Sequence, residues 1–261
     1  MIGRLLALVV VLVLGGCGAP VVPAASPQPL GMPGDWRLAF SDEFDGAVLD
    51  PRRWSDHSSA EPDDGHGNPG NEQLEWNQAA NCRVGDGLLT MTARRERVTS
   101  AASGQTYAWT SCLISSAPAY HFRYAYVEER AILPADRGFW PAFWTWQADG
   151  VDRHTETDVY EYYSDNPRML YATQFSGAGG RCEWRPAFHP ADGWHTYGVT
   201  IEASGTTWYV DGVRVCRTAA TSDGLTALIS NLAVYSRIPP DPATATAVKR
   251  VDHIRVWTPV G

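Results

Sequence analysis

The stretch WYVDGVRVC, residues 208–216, predicts a tight β-hairpin. Asp211 and Gly212 readily adopt the positive backbone angles of a two-residue turn, and strand-forming residues flank them on both sides. Outward from this hairpin, runs rich in β-branched and aromatic residues recur at Gly87–Arg94, Tyr124–Ile132, Glu156–Tyr163, Trp194–Glu202, Thr206–Val210 and Val251–Trp257. No long stretch has a helical period. We therefore predict an all-β domain built as a sandwich of two antiparallel sheets.

The composition favours one large domain and excludes a nucleic-acid binder. The chain has 261 residues, of which 44% are hydrophobic, and this suffices for a single well-buried core but not for two independent ones. It contains 11 Trp, 11 Tyr and 24 Gly, a mixture of strand formers and turn formers. The formal net charge is -8, whereas a protein that binds nucleic acid needs a basic patch.

The N-terminus resembles the signal peptide of a bacterial lipoprotein. In residues 1–16, Arg4 precedes an apolar run that is too short to span a bilayer. Cys17 follows Leu-Gly-Gly, as in a lipobox, so we expect Cys17 to become the lipidated first residue of an exported, cell-surface or periplasmic protein. The alternative is an ordinary secretory signal with an incidental cysteine. Residues 17–34, rich in Pro and Ala, are predicted to be a tether, and residues 35–261 the domain, which we expect to be a monomer.

Four further cysteines remain after export into an oxidising compartment, where an even number indicates disulfides. Three disulfide pairings are open. The spacing of the four cysteines matches no zinc motif. We favour Cys82 with Cys112 and Cys182 with Cys216, because the members of each pair are close enough in sequence to share a local strand meander.

The segment HTETDVYEYY, residues 154–163, carries three carboxylates. Alternate side chains of a strand share a face, so Glu156 and Asp158 project together. Glu161 lies an odd number of positions from both Glu156 and Asp158, so a regular strand would place it on the opposite face. One β-bulge between Asp158 and Glu161 returns it to their face. We predict this bulge, since bulges are frequent beside active sites.

Two other interpretations of this segment are weaker. A merely solvated face predicts interleaved Lys or Arg to relieve the repulsion between the acids, but the neighbours are Thr, Val and Tyr. A metal site of His154, Glu156 and Asp158 lacks support from a further His or Cys motif. Acids and aromatics on one sheet face suit a sugar-binding cleft.

The chain resembles glycoside hydrolase family 16, the laminarinase and lichenase group. The pattern E-x-D-x-x-E at residues 156–161, after GFWPAFWTW at residues 138–146, is similar to the active-site strand of the family. Further similar segments follow in the order of the family: FSDEFDG (40–46), GNEQLEW (70–76), DGLLTMTARRE (86–96), YVEERAILP (126–134), GWHTYGV (193–199), YVDG (209–212), NLAV (231–234) and VDHIRVW (251–257).

The resemblance implies a β-jelly roll with a concave sheet that forms an open cleft, and glycoside hydrolysis with retention of configuration. By position Glu156 matches the nucleophile, Glu161 the general acid/base, and Asp158 the carboxylate between them. Retaining enzymes need two carboxyl groups only about 5 Å apart, one ionised and one protonated, and crowding of like charges helps to keep the donor protonated. No cofactor is needed for this chemistry.

The resemblance also implies residues around the cleft and a metal. Trp140 and Trp144 match positions that stack on sugar rings, and the other positions beside the cleft are matched by Asn71, Glu72 and Arg130. Gln174 stands roughly where many family members have a histidine on the neighbouring strand, and we place it among the substrate-binding residues. Glu43 and Asp252 match the region where many members hold a structural calcium ion.

The expected function is therefore endo-acting hydrolysis of a polysaccharide, with β-1,3-glucan or mixed-linkage β-glucan as the default substrate. Departures from the family near the cleft, at Thr157, Gln174, Tyr235 and Ser236, leave the linkage open. One alternative uses the same residues for transglycosylation or on a galactan. Another, of a different class, is a non-catalytic carbohydrate-binding jelly roll, since fold alone does not establish activity.

Overall fold

The computed structural model describes residues 27–148, 154–176 and 179–260. In these ranges two large sheets pack face to face. The ten-stranded back sheet consists of β1 (Trp36–Asp42), β2 (Glu75–Asn77), β3 (Cys82–Gly85), β4 (Leu88–Arg94), β7 (Trp109–Ser111), β9 (Ala125–Ile132), β14 (His195–Glu202), β15 (Gly205–Val210), β16 (Val213–Thr218) and β18 (Thr246–Pro259). The six-stranded front sheet consists of β8 (Leu113–Ser115), β10 (Phe139–Gln147), β11 (Glu156–Glu161), β12 (Leu170–Gln174), β13 (Gly180–Trp184) and β17 (Thr226–Val234).

The remaining regular elements are small. A two-stranded ribbon joins β5 (Val98–Thr99) to β6 (Thr106–Tyr107), and two 3₁₀ turns span Pro69–Asn71 and Ala79–Asn81. No helix in the described part of the chain has the length and apolar character needed to cross a bilayer. Strand pairing is antiparallel except between β2 and β7, so the predicted antiparallel sandwich is confirmed.

The predicted strands are present within one or two residues of their expected bounds, except the last. Asp211 and Gly212 form the hairpin turn between β15 and β16 with φ of 50° and 75°. β18 begins at Thr246 and not at Val251, because its first half pairs with β4 and its second half with β9. Lys249 interrupts the apolar pattern in that first half, which hides the strand from sequence inspection.

The core lies between the two sheets and includes large side chains from both. Phe143 and Tyr160 contribute from the front sheet, and Val127, Trp208 and Trp257 from the back sheet; each is 1% exposed or less. Burying a large apolar side chain stabilises a fold by roughly 1.5–3 kcal/mol. The front sheet has the order β13-β12-β11-β10-β17-β8, so the carboxylate strand β11 is an interior strand with a neighbour on each side.

The predicted disulfides, Cys82–Cys112 and Cys182–Cys216, are both formed. The reason differs from the expected one in the second case. Cys182 lies on β13 and Cys216 on β16, which are edge strands of different sheets, so this bond links the front sheet to the back sheet.

Residues 27–34, which we assigned to the tether, lie against the domain. The Trp257 indole donates to the carbonyl of Pro27 at 2.8 Å, and Gln28 exchanges hydrogen bonds with the backbone of Trp36. The domain therefore begins at least eight residues earlier than predicted. Residues 1–26, with the predicted signal peptide and Cys17, lie outside the described residues.

A buried ion pair of the back sheet forms hydrogen bonds with strands of the front sheet behind β11. The Lys249 ammonium lies 3.0 Å from a Glu129 carboxylate oxygen, and both side chains are fully buried. Lys249 also donates to the Ala142 carbonyl and to the Ser230 hydroxyl, at 3.1 and 2.8 Å. Glu129 accepts from the hydroxyls of Tyr160 and Ser230, each at 2.6 Å. Such complete pairing is what allows two charges to remain in a core.

We expect Lys249→Met to lower the free energy of unfolding by about 3–5 kcal/mol, because it leaves the Glu129 carboxylate buried without its counter-ion. Urea unfolding with the disulfides intact measures this change. Arg250→Met, at the exposed neighbouring position, is the matched control and should stay within about 0.5 kcal/mol of wild type. Equal stability of the two variants would contradict the role assigned to the ion pair.

Candidate active site

The three carboxylates of β11 share one face because the strand contains a bulge. On β10, Trp146 is opposite Glu156, Trp144 is opposite Asp158, and Ala142 is opposite Glu161. The pairing with β12 shows the same shift, with three steps from Asp158 to Glu161 against two on β12. The predicted bulge between Asp158 and Glu161 is thus confirmed. It changes the parity of the strand, so Glu161 returns to the face of the other two acids.

These acids line a narrow hollow of about 50 Å³ on the outer face of the front sheet. The wall is completed by residues from β10, β17 and the segment before β2, namely Asn71, Gln73, Trp140, Ala142, Trp144 and Asn231. The Trp144 indole donates to the Asn231 amide oxygen at 3.1 Å, and Trp140 stacks on Tyr163 with 4.9 Å between ring centroids. The structure thus brings predicted Asn71, Trp140 and Trp144 together with the acids.

Asp158 is the most deeply buried of the three acids, at 4% exposure. Its pKa is raised well above the ordinary value, first by burial and then by the charges of Glu161 and Glu156. Its carboxyl group hydrogen-bonds Glu156, an interaction that raises the pKa of Asp158 and lowers that of Glu156. At this contact the proton is therefore favoured on Asp158, which donates the hydrogen bond to the Glu156 carboxylate.

Glu156 and Glu161 both have raised pKa values because of burial, but their partners differ. The His154 imidazole lies 2.5 Å from a Glu156 oxygen and, like Asp158, favours the ionised form of Glu156. At Glu161 the Tyr163 hydroxyl, at 3.2 Å, and the charge of Arg181 oppose the effect of burial, while the charge of Glu156 adds to it. Once Glu156 is ionised, its charge helps Glu161 to retain a proton.

The opposite side of β11 is held by a buried hydrogen-bond network. Gln174 donates to the Glu156 carbonyl at 2.9 Å and accepts from the hydroxyls of Thr157 and Thr206, at 2.8 and 2.9 Å. The Trp208 indole donates to the Asp158 carbonyl at 2.7 Å. Gln174 is only 1% exposed, so the expectation that it binds substrate is wrong; it positions the backbone of β11 instead.

Glu72 follows Asn71 at the edge of the site but is engaged by its own neighbours. The Ser236 hydroxyl donates to one carboxylate oxygen at 2.6 Å, and Arg237 donates to the other at 3.1 Å. These two donors lower the pKa of Glu72. The side chain remains partly exposed, at 39%, and its predicted contact with substrate stays a prediction.

Arg130 does not lie in the cleft. It is on β9 of the back sheet, where its guanidinium donates to Asp252 at 3.0 Å and lies over the Trp194 ring. The expectation of a sugar contact is wrong, because the alternation along β9 directs this side chain to the outer surface of the back sheet, on the far side of the sandwich from the acids.

The residues assigned to calcium, Glu43 and Asp252, do not fit a calcium site. Arg255 donates to both oxygens of Glu43, at 2.8 and 2.6 Å, and Arg130 donates to one oxygen of Asp252. A calcium ion needs six to eight oxygen ligands, whereas these carboxylates already have cationic partners. In the described part of the chain, Glu43 and Asp252 form ion pairs with arginines, and the predicted calcium site is wrong.

The sequence interpretation missed several residues around the acids: Gln73, Tyr163, Arg181 and Asn231, and the role of His154. His154 was open to detection, because it lies two positions before Glu156 and thus on the same face of an extended chain. Tyr163, two positions after Glu161, was open to detection for the same reason. Gln73, Arg181 and Asn231 come from three different segments, and only the fold brings them together.

A larger hollow of about 480 Å³ continues along the same face beyond Trp144. Trp146 of β10 and Ala227 and Ile229 of β17 form part of its floor. Its wall includes Trp54 and the segment from Ser55 to Ser59. The two hollows lie next to each other on this face, because Trp144 of the smaller one pairs with Ile229 of the larger one.

Comparison with known proteins gives one consistent result. The family model "Glycosyl hydrolases family 16" matches residues 70–237. The chain is 30% identical over 243 residues to the endo-1,3-1,4-beta-glycanase EglC of Rhizobium meliloti, covering 84% of this chain and 51% of the relative. It is 31% identical to a beta-glucanase of Rhodothermus marinus, covering 67% of this chain and 63% of the relative.

Solved structures of endo-1,3-beta-glucanases are also similar to this chain. The catalytic domain of an endo-1,3-beta-glucanase (laminarinase) from Thermotoga petrophila superposes with a TM-score of 0.77 at 28% identity, covering 87% of this chain and 100% of that one. An endo-beta-1,3-glucanase from Pyrococcus furiosus superposes with a TM-score of 0.78 at 27% identity, covering 90% and 100%. The predicted jelly roll is confirmed.

The contact between His154 and Glu156 leads to a prediction. His154→Ala removes the imidazole that favours the ionised form, so the pKa of Glu156 should rise. Carbon-13 NMR titration of glutamate-labelled protein measures this pKa, and Glu156→Gln identifies the signal. His195→Ala removes a comparable His–carboxylate contact, 2.7 Å from Asp211 on the back sheet, and should leave Glu156 unchanged. An unchanged or lower pKa in His154→Ala would refute the assigned role.

Proposed function

The chain belongs to glycosyl hydrolase family 16, and on that basis we propose that it is a retaining, endo-acting hydrolase of β-1,3-glucan or mixed-linkage β-glucan. One observation supports the proposal above all others. The bulge in β11 places Glu156, Asp158 and Glu161 on one face, on the floor of a cleft that tryptophans line. This is a site with two separately tuned glutamates, which a binding module does not need.

The curated relatives suggest the substrate class and also limit the proposal. The chain spans 51% and 39% of the length of two endo-1,3-1,4-beta-glycanases of Rhizobium meliloti, EglC and ExsH, so similarity reaches only part of each. The proposal therefore concerns the activity of this domain. The endo mode agrees with the two consecutive hollows, since a cleft open along the sheet accepts the middle of a chain.

In the first step, Glu161 protonates the glycosidic oxygen while the Glu156 carboxylate attacks the anomeric carbon. The bond to the leaving sugar breaks, and a covalent glycosyl ester forms on Glu156. In the second step, Glu161, now ionised, takes a proton from water, and the water oxygen displaces Glu156. Two inversions give net retention. Family members need no cofactor for this reaction, since the carboxyl groups supply both the nucleophile and the proton.

Asp158 and His154 support the first step without reacting. Both favour the Glu156 anion, and the proton that Asp158 holds keeps the attacking carboxylate oriented by a hydrogen bond. Trp140 and Trp144 offer apolar ring faces to sugars, and Asn71 offers an amide. Glu72 is placed to extend this polar contact at the cleft edge.

We further propose that the enzyme is a monomer anchored outside the cytoplasm through Cys17. The support is the sequence of residues 1–16 and the Leu-Gly-Gly-Cys motif, since this part of the chain lies outside the described residues. An exported location also agrees with the two disulfides. The Pro- and Ala-rich residues 18–26 would separate the domain from the membrane surface.

Cys17→Ser should release the protein from membranes into the soluble fraction, because it removes the atom that carries the lipid. Fractionation of expressing bacteria with immunodetection measures the distribution. Val21→Ser, in the same segment but outside the motif, should remain with membranes. Wild-type protein found wholly in soluble fractions would exclude the anchor.

The two glutamates should fail in different ways. Glu156→Ala removes the nucleophile, so hydrolysis should fall by several orders of magnitude, with azide giving a product of inverted configuration. Glu161→Ala removes the proton donor, so an aryl glycoside with a good leaving group should still glycosylate Glu156, and azide should give a product of retained configuration. Asp158→Asn should be intermediate, because Asp158 orients and does not react.

The measurements are product sizing on a panel of β-glucans and galactans, and NMR of the azide products. A panel of this kind also distinguishes hydrolysis from transglycosylation. Thr92→Ala, on β4 of the back sheet, is the control for effects of a substitution on the fold as a whole. Wild-type hydrolysis by folded Glu156→Ala and Glu161→Ala proteins would mean that the carboxylates only bind sugar.

A further inference from the structure

Outside the catalytic carboxylates, one cluster in the described residues has the composition of a metal site. Asp56, His57 and His66 each present a ligand atom, and these atoms lie within 4.8 Å of one another. We propose that they bind a divalent transition cation of the zinc type at the edge of the larger hollow. The proposal concerns a site separate from the acids of β11 and does not depend on the glucanase activity.

His66 is held in the form that a metal ligand requires. Its Nδ1 lies 2.8 Å from the Asn77 carbonyl, an acceptor only, so Nδ1 carries the proton and Nε2 is left with its lone pair. The Asn77 backbone and side-chain N–H groups both donate back to the His66 carbonyl, at 2.8 and 3.1 Å. A backbone carbonyl on the remote ring nitrogen is the usual support of a metal-binding histidine.

The ring of His66 is also fixed by packing. It stacks on Trp76 with 4.8 Å between centroids and an interplanar angle of 23°. Its backbone follows a turn in which Asp64 and Gly65 have φ of 53° and 81°. A side chain on Gly65 would begin 3.0 Å from the His57 Cβ, so the glycine allows the two histidines to approach each other.

Asp56 is oriented from outside the turn as well. The Ala79 N–H donates to its Oδ2 at 2.9 Å, which leaves Oδ1 on the side of His57, 3.1 Å from that Nδ1. Two bonds of about 2.1 Å span at most about 4.2 Å, so the cluster must contract slightly around a zinc ion. His57 is 58% exposed and can move to close the gap, while the other two ligands are held.

The ligand types select the class of metal. Two imidazoles and one carboxylate suit Zn²⁺, Co²⁺, Ni²⁺ or Cu²⁺, whereas Ca²⁺ and Mg²⁺ require mostly oxygen. Three protein ligands leave a position open. Asp56 and His57 line the larger hollow, so a bound cation would join the turn from Asp56 to His66 into one rigid wall of the cleft.

The test is titration of tag-free, chelator-treated full-length protein with Zn²⁺ by calorimetry, and with Co²⁺ by visible absorption. Wild type should bind one ion per chain and gain thermal stability with added Zn²⁺. His66→Ala should weaken binding by at least about 100-fold, since the loss of a supporting residue alone costs 10–100-fold. Asp56→Asn, which preserves the shape of the side chain, should also weaken Zn²⁺ binding. It provides the test if His66→Ala does not fold.

His154→Ala is the matched control, because His154 and Glu156 form another His–carboxylate contact on the outer face of the front sheet. It should bind Zn²⁺ as wild type does. The proposal is overturned if wild type shows no Zn²⁺ binding at micromolar concentration, or if His154→Ala abolishes binding while His66→Ala and Asp56→Asn retain it. Glucan hydrolysis, assayed separately, reports on the proposed function and not on this site.

Discussion

The crowding of three carboxyl groups on one strand is the constraint on which the rest of the site depends. Glu156, Asp158 and Glu161 cannot all be ionised at such proximity in a buried place, so protons must be shared among them. The depth of Asp158 raises its pKa most strongly among the three, so a proton is favoured on this group. The bulge that returns Glu161 to this face is therefore a precondition of the roles proposed for the two glutamates.

The side of β11 that faces the core shows what holds a repulsive cluster in place. Gln174 and Trp208 hydrogen-bond the carbonyls of Glu156 and Asp158, so the strand is fixed through its backbone and the acidic side chains remain available. Tyr160 connects the same strand to the Glu129–Lys249 ion pair. Lys249 in turn reaches the backbone of β10 at Ala142, opposite Glu161.

Hydrogen-bond and charge partners, and not burial alone, distinguish the proposed catalytic acids from the structural ones. Glu61 and Glu75 are also fully buried, and burial raises their pKa values to about 7 and about 8, yet neither lines the hollow that holds the acids of β11. Glu43 and Asp252 have arginine partners and serve as ion pairs. Among the acids in the described residues, only those of β11 combine a raised pKa, a common face and an open cleft, and the proposed function rests on that combination.

The hairpin at Asp211-Gly212, the alternating strands and the spacing of the β11 acids are local patterns, and they were sufficient to predict an all-β sandwich, the bulge and the common face of the three acids. The sequence interpretation assigned wrong roles to Gln174, Arg130, Glu43 and Asp252. A single sequence position does not reveal which side of a sandwich a side chain faces or which distant charge it meets. Arg255, for example, is far from Glu43 in sequence yet donates to both of its oxygens. The cluster of Asp56, His57 and His66 likewise exists only because a turn and the strand β2 bring its members together. Local periodicity thus determined the strands, whereas long-range strand pairing decided which polar groups became partners.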